Sequence, residues 1–185
     1  GYHEGGFTPF EFRVDGVIKV GEANDVIIRV VGPIILSDKE IDGVRAMQTP
    51  QWRGGINGGI WQPVRLVTSG DIYLKDVFLQ TNLSESSVSF ETSIEQSSIK
   101  SQSCNIEIRI YQGDRVIKRI DQDFILRPGT ISKKWKLNVP SPFLWSPRFP
   151  NLYTAKVIVK QSGIVSDHWE TKFGFREFTI KDQDF

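Results

Sequence analysis

Two tryptophans, Trp52 and Trp61, bracket a glycine-rich stretch that also carries Arg53 and Asn57. Indole faces stack on the apolar face of a pyranose, while guanidinium and amide groups hydrogen-bond its hydroxyls. The pairs Gly54–Gly55 and Gly58–Gly59 let such a loop fold tightly and bring backbone close to a ligand. These four side chains are therefore the candidate sugar contacts. The glycines do not form a phosphate loop, because a strand pattern follows them and not a helix. The plainer reading is that both tryptophans are packing residues.

The other chemistry-bearing residues are scattered. Glu11, Glu22, Glu107 and Glu170 lie in strand-like runs or turns, where a carboxylate normally faces water. No pairing of them emerges that would bracket a scissile bond, so no catalytic residue is assigned. His3 and His168 are the only histidines, and their spacing gives no metal-ligand set. His3 with Glu4 beside Gly5–Gly6, and His168 beside Trp169, read as turn and strand residues. Cys104 is the single cysteine, so no internal disulfide forms. A nucleophilic role would need a nearby base, and nothing in the sequence supplies one. Neither a metal nor a cofactor is called for.

Period-two alternation runs through most of the chain and must position these groups. Phe10, Phe12 and Val14 alternate, as do Val26, Ile28 and Val30. From about residue 71 onward the pattern becomes regular, with seven strand candidates near 72–80, 87–95, 105–112, 115–124, 131–139, 152–161 and 165–180. One face of each goes to a core and the other to water. Gly113–Asp114 and Ser162–Gly163 mark hairpins, and Gly174 marks a bend or bulge in the last strand. No segment keeps a helical period for ten residues. The spacing predicts an all-β fold with a boundary near Ser69–Gly70–Asp71, the second part sized like an immunoglobulin sandwich. Serine-rich Ser84 to Ser103 keeps its alternation and reads as a solvated sheet face.

Composition narrows the class. In 185 residues the net charge is +1 and the basic residues are dispersed, so no field draws nucleic acid or an anionic membrane. No apolar run approaches the ~18 residues of a membrane helix. The first residues lack the basic start and apolar run of a signal peptide. With no initiator Met, the chain reads as a piece of something longer, and its compartment is not set by these residues. Asn82–Leu83–Ser84 fits a glycosylation triplet, which chance supplies often enough to carry no weight.

Four motif groups, in order, point to a family. Gly1, Gly5, Gly6, Thr8, Pro9 and Phe10, with the turn Gly21 to Val26, come first; Gly59, Ile60, Trp61, Val64 and Leu66 follow. Leu144 to Pro147, Pro150, Leu152 and Tyr153 come next, then Gly174–Phe175–Arg176. Each is weak alone, but in this order they resemble the non-catalytic front of glycoside hydrolase family 2, which includes β-galactosidases, β-glucuronidases and β-mannosidases. The resemblance implies a partial galactose-binding-like jelly roll over residues 1–70, then an immunoglobulin-like β-sandwich over 71–185. It implies that the catalytic barrel of the same polypeptide is the main partner. Both catalytic glutamates would lie there, the acid/base one after an asparagine; no Asn-Glu dipeptide occurs here. A barrel needs roughly 250 residues.

Further expectations follow from that resemblance. The Trp52–Trp61 loop would approach the substrate rim. The loop around Trp145 and Arg148, together with Arg176, would dock one domain on another; peptide recognition through its prolines is the sharper, less economical idea. The chain alone would be inactive. Missing jelly-roll strands would leave edges open to self-association. A bacterial polysaccharide-degrading parent would be periplasmic or secreted. Two other readings stand beside this one: a stand-alone carbohydrate-binding module using the Trp52–Trp61 loop, and an adhesion module built on the sandwich.

Overall fold

The computed structural model describes residues 1–30 and 59–178. The chain divides into two compact units, Gly1–Arg65 and Leu66–Phe185. The described residues contain strands and turns and no helix, so the fold is all-β.

In the second unit seven strands form in the order the alternation predicts: β1 (Ile72–Asn82), β2 (Ser87–Gln96), β3 (Gln102–Gln112), β4 (Arg115–Leu126), β5 (Gly129–Asn138), β6 (Tyr153–Gln161) and β7 (Ile164–Phe173). They pair antiparallel in a three-stranded sheet, β1-β2-β5, and a four-stranded sheet, β4-β3-β6-β7. This is an immunoglobulin-like sandwich. Ile106, Ile108 and Ile110 on β3 and Ala155, Val157 and Val159 on β6 are fully buried at period two. They face Val88, Phe90 and Ile94 of β2 and Trp135 and Leu137 of β5 in one core. Each such aliphatic or aromatic side chain contributes ~1.5–3 kcal/mol by leaving water.

The hairpins follow local sequence. Ser162 and Gly163 both take positive φ (51° and 80°), the primed turn whose twist suits a two-residue β-connection. Buried polar Thr92 is satisfied: Trp135 Nε1 donates to its Oγ1 at 3.0 Å.

One side of the sandwich is closed across the sheets. Gly70 N donates to Ser166 O (2.7 Å), Ser166 Oγ to Ile72 O (2.6 Å), and Leu74 N to Asp167 Oδ2 (2.8 Å). The ladder irregularities at Leu74/Asp76 and Val159/Lys160 lie at this seam, where the edge strands β1 and β7 meet.

In the first unit, the Gly21–Asn24 turn is locked by its own asparagine: Lys19 N donates to Asn24 Oδ1 and Asn24 Nδ2 to Lys19 O, both at 2.8 Å. The alternating runs Phe10–Val14 and Val26–Val30 are not in strands. Alternation makes a segment able to pair, but a strand also needs a neighbour's N–H and C=O groups, and no described residue supplies that ladder.

Candidate functional site

Between β5 and β6 the chain crosses one pole of the sandwich as Phe143 to Leu152, and each local feature has a cause. Tyr153 opens β6 and is buried, and its Oη accepts the Phe143 N–H at 2.8 Å, tethering the start of the loop to the core. Ser146 and Phe149 exchange backbone bonds (2.9 and 3.1 Å), and Ser146 Oγ also accepts Phe149 N–H at 3.0 Å. The result is a tight turn around Pro147–Arg148, where proline fixes φ. Asn151 Nδ2 closes it from behind onto Leu144 O at 2.9 Å.

The chain leaving β7 passes under this loop. Leu144 and Phe175 form an isolated parallel bridge, and Trp145 N donates to Phe175 O at 2.9 Å. The approach demands glycine: a Cβ on Gly174 would lie 2.7 Å from Trp145 Cβ. Tyr153, Phe173 and Phe175 pack beneath with ring centroids 5.4–5.8 Å apart. Above them, the Arg176 guanidinium stacks 4.6 Å from the Trp145 ring centroid and 3.6 Å from that of Phe178. Arg148 reaches over the Phe149 ring at 5.6 Å.

Trp145, Arg148 and Arg176 are thus brought to one pole, with Trp145 and Arg176 in contact. Around them Phe143, Leu144, Phe149, Leu152 and Phe178 stay 47–71% exposed. Arg176 is exposed, with its guanidinium within cation–π distance of two rings of its own unit. It makes no hydrogen bond to any described residue.

The candidate sugar contacts are placed only in part. Trp52, Arg53 and Asn57 lie outside the described residues. Trp61 donates its indole N–H to Gly6 O at 2.8 Å and meets Phe7 edge-on, with ring centroids 6.4 Å apart. That bond ties the Gly-Ile-Trp motif to the Gly5–Gly6 motif that the sequence reading grouped with it. His3 stacks on Phe10 at 4.2 Å, and His168 lies exposed on β7. Cys104 is buried in the core, where desolvation pushes its thiol up to about 11 and keeps it unreactive at neutral pH.

Sequence reasoning missed what Glu107 does. It sits on the outer face of β3, yet its side chain is fully buried beneath three cations. Arg109 Nε and Arg119 Nε approach Oε1 at 2.6 and 2.7 Å, and Lys160 Nζ approaches Oε2 at 2.8 Å. The Arg109 hydrogen bond, helped by Lys160 and opposed by burial, holds the carboxyl down at about 2. A carboxylate held ionised in this way cannot serve as a general acid at neutral pH. The available signal was Arg109, two residues on and so on the same face; Arg119 and Lys160 arrive only through pairing register.

Comparison with known proteins follows the same lines. The family described as Glycosyl hydrolases family 2 matches residues 72–176, more than half of the chain. The whole chain is 26% identical to a β-galactosidase of Thermoanaerobacterium thermosulfurigenes and spans 26% of that protein. It is also 26% identical over its whole length to a β-glucuronidase of Formosa agariphila, spanning 20% of it. Among solved structures, the β-D-mannosidase from Dictyoglomus thermophilum superposes with a TM-score of 0.56 at 28% identity, over 65% of this chain and 15% of that one. The chain therefore spans about a quarter or less of the length of these relatives. With the family matched from Ile72 to Arg176, over all seven strands of the sandwich, the chain belongs to glycosyl hydrolase family 2.

Proposed function

We propose that these residues are the accessory region of a family 2 glycosidase, inactive by themselves, and that they scaffold a catalytic barrel of the same polypeptide. The parent reaction is hydrolysis of a terminal β-linked sugar by two carboxylates that this chain does not supply. The observation that carries the reading is the pole at Phe143 to Leu152. It is a hydrogen-bonded loop that leaves four large apolar side chains facing outward, with Phe178 and Arg176 beside them. A soluble domain rarely presents so many exposed apolar side chains together unless another surface covers them. The relatives, a β-galactosidase and a β-glucuronidase, supply the reaction class.

The test compares two proteins on nitrophenyl β-glycosides, the 185-residue chain and the full-length gene product. Turnover by the full-length protein and none by the short chain is expected; turnover by the short chain overturns the reading. A stand-alone carbohydrate-binding module is not favoured, because the relatives that match the whole chain are enzymes. Calorimetric titration with a saccharide panel, in which that module would release heat that Trp61→Ala removes, is expected to stay flat for the short chain.

A further inference from the structure

A cleft of about 310 Å³ opens at the same pole, between the start of β4 and the start of the β5–β6 crossing. Ile117, Val139, Pro140 and Phe143 give it apolar walls, and Lys118 lines it from β4. The lysine owes its place to an irregularity in the ladder. Ile110 pairs with Lys118 but Tyr111 with Val116, so Ile117 is an extra residue and Lys118 lies opposite a buried core isoleucine. Lys118 is half-buried, and it makes no hydrogen bond or ion pair to any described residue. Lys156 and Lys160, on the outer face of the same sheet, both hold carboxylates. The far wall is set by Ser141, held at a φ of +50° that a non-glycine residue rarely adopts.

We infer that this cleft seats an acidic side chain carried on an apolar segment of the catalytic part of the same polypeptide, with Lys118 as its counter-charge. The inference rests on the scaffold reading above and names one contact of that surface. Three observations select this occupant. An ammonium with no partner among the described residues, beside apolar walls, calls for a carboxylate flanked by apolar atoms. The volume lies at the lower end of the ~300–1,000 Å³ typical of small-molecule sites, room for a pair of side chains and too little for a saccharide chain. Phe143 lines the cleft and is also one of the exposed residues of the aromatic pole, so whatever covers that pole reaches the cleft.

The experiment is amine-acetylation footprinting of the full-length protein beside the short chain, with hydroxyl-radical oxidation of Trp145 and Phe149 read in the same samples. Lys118 should be acetylated about tenfold more slowly in the full-length protein. Lys100, exposed at the opposite pole, should react equally in both. Carbodiimide coupling should join Lys118 to an Asp or Glu of the catalytic part, and Lys118→Glu should restore oxidation of Phe143 while Lys118→Met restores less. Equal acetylation of Lys118 in both proteins, with Trp145 and Phe149 protected, overturns the cleft assignment and leaves the scaffold reading standing. If Trp145, Phe149 and Lys118 all stay unprotected, both fail. A cross-link to a second copy of the chain also overturns the assignment.

Discussion

Glu107 is more deeply buried than several members of the hydrophobic core, although it points away from that core. Three cationic stems, lying across the sheet from β3, β4 and β6, do the burying. Glu107→Gln should cost about 2 kcal/mol in urea unfolding, below the usual 3–5 for a broken buried pair, because the orphaned cations can reach water. Since folding lowers this carboxyl from the ordinary glutamate range to about 2, its stabilisation is complete above that range. It is lost as pH falls through the window between about 4.5 and 2. Acid titration of stability should show this loss, and Glu107→Gln should flatten it. Gly174 is the second residue whose identity is dictated by contact. Gly174→Ala would push Trp145 away, at a cost of about 1–3 kcal/mol as for an overpacked site, and a shift in tryptophan emission would report the displacement.

At the scale of elements, strand existence was legible and strand closure was not. Six of the seven candidates of the second unit fall within a few residues of the observed spans, because each alternates over enough residues for period two to be unambiguous. The last candidate ran on to 180, whereas β7 stops at Phe173, since Gly174 redirects the chain beneath Trp145. Nothing in the sequence announced that Ser166 and Asp167 would stitch β7 to β1 across the two sheets. Asp167→Ala leaves the Leu74 N–H without its acceptor and should lower stability by about 1–2 kcal/mol. Hydrogen exchange at Leu74 should quicken while the β3–β6 ladder stays protected. Tyr153→Phe tests the other closure. It removes the acceptor of the Phe143 N–H, should cost about 1 kcal/mol, and should loosen the aromatic loop without unfolding the sandwich.

At the scale of the whole molecule, the exposed aromatic pole should behave as an uncovered contact surface. The short chain is expected to bind a hydrophobic dye at this pole, and Phe149→Ser with Phe143→Ser should reduce that binding without lowering the unfolding midpoint, since neither ring is in the core. An unchanged dye signal would remove the pole from consideration. What the sequence determined by itself was the all-β class, the seven strands, their hairpins and the family. These depend on local periodicity, on turn chemistry and on motifs whose spacing survives in a single chain. Of the candidate site, the sequence supplied Trp145, Arg148 and Arg176 as separate residues, and it left Lys118 and Glu107 without a role. Tertiary structure alone decided that Arg176 meets Trp145, that Arg119 and Lys160 join Arg109 on Glu107, and that an irregular ladder turns Lys118 toward a cleft. Each of those facts depends on cross-strand register, and register brings together residues whose separation along the chain carries no pattern.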